Sequence, residues 1–272
     1  MRPIGVFDSG IGGLTIVRAL QEHLPNEQIV YVGDTAHLPY GDKSPEVLKG
    51  YVARVVAFLL RQPVKAVVTA CNTASAAAYD VVQALAAPLG IPTYEVIHPA
   101  VRVAVAKSAH ARIGVIGTRT TIQSHVYLRE LLTAMPDASV IEKATPLLVP
   151  MIEEGWHQGR LSQEVIEAYL SDTGFKHIDT LILGCTHYPL IEEQITQYLN
   201  QGRSHPVAVI NSAQAVAQQV ASDFAQRGQL RNHASAPGPH AFYASDITDA
   251  FQQSAALFLG APVTLMPLPD EG

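Results

Sequence analysis

The strongest constraint on the fold of this 272-residue chain is an alternation of short apolar runs with stretches of helical periodicity. The runs cover residues 28–32, 66–69, 113–116, 180–183 and 207–210, and they are rich in Val and Ile. Runs apolar on both faces predict strands covered on both sides, hence parallel ones. Between them, Ser44 and Pro45 offer a cap and a first-turn residue, and Val47, Tyr51, Val55, Phe58 and Leu59 fall on one helical stripe. The βαβα order predicts an α/β fold with doubly wound parallel sheets.

A self-comparison adds a duplication. Pro39 follows Gly5 by 34 residues and Cys71 follows Pro39 by 32; Pro150 follows Gly114 by 36 and Cys185 follows Pro150 by 35. Each copy opens on Ile-Gly-Val, passes a proline loop and ends a strand in cysteine: Cys71-Asn72-Thr73 in one, Cys185-Thr186-His187 in the other. After Val207 the pattern resumes with a strand, a helix that Ser212 would cap and a strand at residues 241–243; this tail is expected to return to the first lobe, leaving that lobe discontinuous. Residues 227–240, rich in Gly, Ala, Ser and Pro, read as a surface loop.

Composition removes several classes of function. At 48% hydrophobic and 15% charged residues the chain is too apolar for disorder. Its formal charge of -6 supplies no basic field, so neither nucleic acid nor an anionic membrane surface is expected as partner. An anionic substrate would have to be held by local N–H groups instead. The first acid, Asp8, comes too early for a secretory leader, and no 18-residue apolar run exists; a cytoplasmic location is expected. Two cysteines in a reducing compartment are best treated as free thiols.

In an open parallel sheet, ligands bind beyond the carboxyl ends of strands, where both cysteines fall. A lone buried cysteine is more often a small core hydrophobe. Matching contexts at two strand ends favour chemistry: one thiol per lobe facing a shared carbon can remove a proton from one face and deliver one to the other. Cys71 precedes an Ala-rich helical start and Cys185 precedes Pro189, so a helix N-terminus is expected to lower each thiol's pKa. Asp8 closes the first strand, as helix cap or as part of the site. The glycines at 10, 12 and 13 lack the third glycine of a dinucleotide fingerprint, Thr15 standing in its place, and read as close backbone approach to a small ligand. His187 could orient or deprotonate Cys185, or be an ordinary core histidine. Glu153 and Glu154 read as a solvated helix start unless the duplication brings them to the cleft. No metal-ligand spacing is present, and neither a metal nor a cofactor is expected.

Four segments in register, residues 7–14, 33–41, 70–75 and 183–190, resemble the bacterial glutamate racemases over nearly the whole chain. The resemblance implies two pseudo-symmetric α/β lobes, residues 1–97 plus 208–272 and residues 98–207, with the active site between them. It implies a cofactor-independent enzyme that supplies D-glutamate for peptidoglycan, and a homodimer. By the same resemblance Cys71 takes the α-proton from D-glutamate and Cys185 from L-glutamate; Asp8 assists Cys71, while His187 and Glu153 assist Cys185. Ser9, Pro39, Tyr40, Gly41, Asn72, Thr73 and Thr186 would hold the substrate together with Asp8 and His187. His37 stands where many relatives carry arginine. The N-terminal extension through which some relatives answer to a cell-wall precursor is not seen, so that regulation is not expected.

Aspartate or hydantoin racemases share the architecture, and Cys185-Thr186-His187-Tyr188-Pro189 favours glutamate. A two-lobed binding protein would close on an anion without chemistry and would tolerate loss of either thiol. A dithiol redox protein would usually show Cys-x-x-Cys, which is absent.

Overall fold

The computed structural model describes residues 2–231 and 238–269. In chain order, β1 (Ile4–Asp8), α1 (Leu14–His23), β2 (Ile29–Gly33), α2 (Pro45–Arg61), β3 (Ala66–Thr69), α3 (Asn72–Ala86) and β4 (Thr93–Glu95) come first. Next are α4 (Ile97–Lys107), β5 (Arg112–Gly117), α5 (Arg119–Gln123), α6 (Val126–Ala134) and β6 (Ser139–Ala144). They are followed by α7 (Leu148–Glu153), α8 (Arg160–Leu170), β7 (Thr180–Gly184), α9 (Glu192–Asn200) and β8 (Ala208–Asn211). The chain closes with α10 (Ser212–Gln226), β9 (Ala241–Ala244), α11 (Asp249–Leu259) and β10 (Met266–Pro267).

Two parallel sheets result, ordered β10-β9-β2-β1-β3-β4 and β6-β5-β7-β8. The quartet β2-β1-β3-β4 has the same order as β6-β5-β7-β8, so β1 corresponds to β5 and β3 to β7. The Ile-Gly-Val strands are thus central in both sheets, and Cys71 and Cys185 leave equivalent strands at equivalent ends. Helices cover both faces, the doubly wound arrangement that the alternation predicts. Ile16 and Leu20 of α1, Ala100 and Ala104 of α4 and Val216 and Val220 of α10 share one continuous apolar core. A second core lies under α2 and α3, where Leu48, Val52, Val56 and Leu59 meet Val67 and Val82.

Several expectations need correction. The α2 stripe turns toward Leu48 and Val52, leaving Val47 exposed at 42%, because those residues are the ones over the sheet. The strand near 208 belongs to the second sheet: Ala208 pairs with Thr180, and the crossing back follows Asn211. A strand at that edge needs a neighbour for its backbone groups, and β7 provides it. Asn211, not Ser212, caps α10: its Oδ1 accepts from the N–H groups of Ala213 and Gln214, while Ser212 Oγ donates to Leu183 O. Of the loop expected at 227–240, residues 232–237 lie outside those described.

Candidate active site

The first thiol is built by β1, β3 and α3. Cys71 follows β3 in extended conformation and caps α3, its Sγ accepting the Ala74 N–H at 3.4 Å and donating to Ser9 Oγ at 3.6 Å. Asp8 ends β1 fully buried; Oδ2 accepts the Gly10 N–H at 3.0 Å, and Oδ1 has no protein partner. Asp8 therefore does not cap α1, whose N-cap is Gly13 with no side-chain bond. A Cβ on Gly13 would lie 2.4 Å from Asp8 Cβ, so only glycine lets the loop close over the carboxylate. Burial, then the charge of Asp8, push the Cys71 thiol up to about 12 despite the Ala74 N–H. The lowering expected from a helix N-terminus is outweighed by desolvation. Burial also raises Asp8, against His187 and the N–H groups of Gly10, Gly13 and Ser9.

The second thiol has a different environment. Cys185 leaves β7 and lies 3.8 Å from His187 Nδ1; that nitrogen is 3.3 Å from Thr186 Oγ1, and Nε2 is 2.9 Å from Glu153 Oε1. The Phe258 ring meets the imidazole edge-on, centroids 5.0 Å apart. Burial would lower the pKa of His187, but its bonds to Cys185 and to Glu153 prevail and raise it to about 10. Pro189 opens only a 3₁₀ turn, and α9 begins at Glu192. Cys185 thus has an imidazolium beside it where the sequence suggests a helix N-terminus.

Both thiols open onto one cavity of about 400 Å³ between the sheets. From the first lobe it is lined by Ser9, Pro39, Tyr40, Gly41, Asn72 and Thr73; from the second by Glu153, Thr186 and His187. Asp8 lies behind this wall. A hollow of about 650 Å³ adjoins through Gly41, Asp42 and Arg119, but it has no thiol or imidazole, so the chemistry belongs to the smaller space. Among the described residues no group of His, Cys, Asp and Glu is arranged to hold a metal ion.

The polar wall is pre-oriented. Tyr127 OH donates to Asn72 Oδ1 at 2.6 Å, leaving the buried Nδ2 without a protein partner. Thr73 Oγ1 is 3.0 Å from Thr118 Oγ1. Tyr40 lines the cavity, and its OH donates to Asp34 Oδ2 at 2.6 Å, so its hydroxyl hydrogen is already committed. Glu153 is at the site, whereas Glu154 is exposed at the end of α7. His37 lies outside the cavity, stacked on Tyr51 at 4.1 Å and 2.8 Å from Asp34 Oδ1.

Sequence reasoning missed Thr118, Arg119, Thr145, Val149 and Phe251 in the lining, and Tyr127 behind it. Thr118 follows the carboxyl end of β5, so the strand-end rule could have found it. Tyr127 and Phe251 carry no local signal. The glycine loop approaches protein, not an open ligand space: a Cβ on Gly12 would lie 2.4 Å from His187 ring atoms, and one on Gly33 2.3 Å from Gly10 O.

The model of the Asp/Glu/hydantoin racemase family matches residues 14–220. The glutamate racemase of Syntrophus aciditrophicus is 42% identical over 260 residues, which cover 96% of this chain and 93% of that protein. The crystal structure of glutamate racemase from Francisella tularensis in complex with D-glutamate superposes with a TM-score of 0.89 at 39% identity, covering 98% of this chain and 97% of that one. Glutamate racemase from Thermus thermophilus, in complex with beta-chloro-D-alanine, gives 0.84 at 38% identity, with 98% and 96% covered.

Proposed function

Because the chain belongs to the Asp/Glu/hydantoin racemase family, we propose that it interconverts L- and D-glutamate with two thiols as the proton carriers. The observation that carries this reading is the opening of Cys71 and Cys185, from equivalent strands of two like-ordered sheets, onto one cavity. Residues 1–97 plus 212–272 and residues 98–211 form the two lobes around it.

With L-glutamate, Cys185 as thiolate takes the α-hydrogen: the C–H bond breaks, an S–H bond forms, and the electron pair moves toward the α-carboxylate. Cys71 as thiol then delivers its proton to the opposite face and is left as thiolate; D-glutamate runs the sequence backward. Two carriers invert the centre, whereas one tends to return the proton to its original face, and each transfer is worth typically about 10²- to 10⁴-fold. The high pKa of Cys71 and the proton on His187 beside Cys185 suit the L-to-D direction in the resting site. Asp8 acts on Cys71 through its charge; Glu153 orients His187 and keeps it protonated.

Carboxylate binding falls to hydroxyl and amide donors: Ser9, Asn72, Thr73 and Thr186, with Tyr40, Gly41 and the Pro39 turn completing the wall. Preorganised donors of this kind stabilise charge that develops on the carboxylate. No helix among the described residues is long and apolar enough to cross a membrane. Action in the cytoplasm as a homodimer, providing D-glutamate for peptidoglycan, is part of the same proposal; sedimentation of the purified chain tests the dimer.

The deciding experiment follows deuterium from D₂O into the α-position of each glutamate enantiomer, using chelator-treated protein, with aspartate alongside. Exchange and loss of optical activity with glutamate are expected, and Cys71→Ala and Cys185→Ala should each abolish racemisation in a folded protein. Absence of exchange with either enantiomer refutes the proposal; full turnover in both variants refutes the thiol assignment.

A further inference from the structure

In the glycine loop after β1, Ser9, Gly10 and Gly13 serve the first thiol's surroundings, whereas Gly12 and the adjoining Thr15 have no task in the chemistry above. Gly10 and Gly13 pack within the first lobe against Leu38, Asp8 and Tyr31, whereas Gly12 and Thr15 meet the second. Thr15, buried in the first turn of α1, donates its hydroxyl at 2.8 Å to the carbonyl oxygen of Thr186, 171 residues away in sequence. The other acceptor near that hydroxyl, Gly12 O at 2.9 Å, already receives the Thr15 N–H, so the cross-lobe bond is the one that only the hydroxyl can make. Gly12 then lies flat against the same turn. A Cβ there would be 2.4 Å from His187 Cε1 and Nδ1 and from Thr186 Oγ1, closer than any side chain tolerates.

We infer that Gly12 and Thr15 are positioning residues that hold the Cys185-Thr186-His187 turn of the opposite lobe in register with Cys71. The inference rests on the two-thiol reading proposed above and extends it. The two lobes carry one thiol each, so inversion requires the lobes to keep a fixed separation. Bonds within a lobe cannot set that separation. The Thr15 hydroxyl and the bare Gly12 backbone can, because they touch Thr186 and His187, which flank Cys185, and because they leave β1 only a few residues after Asp8, which acts on Cys71. Displacement of a catalytic group by about 1 Å costs on the order of 10²-fold in rate. The imidazole against Gly12 is the group such a displacement would move.

Thr15→Val removes the hydroxyl at nearly constant volume, Thr15→Ser keeps it, and Gly12→Ala drives a methyl group toward His187. Overall kcat/KM in the two directions is tied by the equilibrium between mirror-image forms, so the informative readout is the primary isotope effect measured separately with L-[2-²H]- and D-[2-²H]glutamate. Thr15→Val should lower kcat about ten- to hundredfold, with KM changing far less. Slowing the Cys185 transfer should raise the isotope effect for the L-enantiomer, whose C–²H bond Cys185 breaks, and reduce the one for the D-enantiomer toward unity. Thr15→Ser should retain the wild-type rate and isotope effects. Equal isotope effects in both directions in Thr15→Val, whether or not the rate falls, would overturn the inference, since simple loss of stability has no reason to favour one half-reaction. Should Thr15→Val not fold, Gly12→Ala is read by the same asymmetry. The parent protein must first pass the deuterium exchange test. Failure there removes the two-thiol reading, while success there with symmetric variants removes only the positioning role.

Discussion

Replacing Glu153 by Gln changes one charge at the second thiol while keeping an oxygen within reach of the imidazole. In the folded protein His187 is raised from 6.5 to about 10, which corresponds to about 5 kcal/mol in favour of the imidazolium. Cys185 and Glu153 both contribute to that rise, against the opposing effect of burial. A hydrogen bond to a charged partner is worth about 1.5–3 kcal/mol. The Glu153 side chain is 30% exposed, so solvent screening favours the lower end, about 1.5 kcal/mol or about one pH unit. His187 should then titrate near 9 in Glu153→Gln. A raised histidine stabilises the fold fully below about 6.5 and loses that contribution as pH rises to about 10. The urea stability gap between wild type and Glu153→Gln should be largest near neutrality and close by about pH 10. The assay is a ¹⁵N titration of ring-labelled histidine, with the His187 resonance assigned by its loss in His187→Asn. A His187 midpoint that stays in place or rises in Glu153→Gln would refute the reasoning, as would a stability gap that widens with pH.

Three further outcomes are expected. Asp8→Asn removes the charge that, after burial, holds Cys71 up, so Cys71 should titrate below its present value near 12, read from the pH dependence of thiolate absorbance in a Cys185→Ala background; no downward movement would remove Asp8 from its role. Tyr127→Phe deletes the donor to Asn72 Oδ1, a loss of about 1–3 kcal/mol, and should raise KM for glutamate about ten- to hundredfold with an unchanged circular dichroism spectrum. Gly184→Ala places a Cβ 2.7 Å from the backbone oxygen of Ile116, which cannot yield as a flexible side chain can, and should cost about 1–3 kcal/mol in urea denaturation.

Much of the fold is legible along the chain because buried parallel strands announce themselves locally. Residues 113–116 and 180–183 are apolar on both faces, and the structure uses them as neighbouring strands of one sheet. The spacing that aligns Gly5 and Cys71 with Gly114 and Cys185 becomes the common strand order of the two quartets, while Pro150, expected in a loop like Pro39, lies inside α7. Helix detail was less legible. The α2 stripe is rotated and the α10 cap shifted by one residue, since both depend on which side of the helix meets a sheet.

The site divides along the same line. Cys71, Asn72 and Thr73, like Cys185, Thr186 and His187, stand at strand ends, and a strand end in a parallel sheet is a ligand position whatever surrounds it. Their types and their order therefore determined which residues could do chemistry and that there are two matched sets. The protonation of those groups was decided by tertiary structure alone. A helix N-terminus lies in the sequence beside Cys71, but burial and a carboxylate from another strand reverse its effect. The counterpart of Cys185 is an imidazole held by a glutamate 34 residues earlier, pressed on one side by a glycine from the other lobe and on another by Phe258. Desolvation and Coulomb interaction depend on distances through space, and those distances are fixed only when the two sheets close on each other.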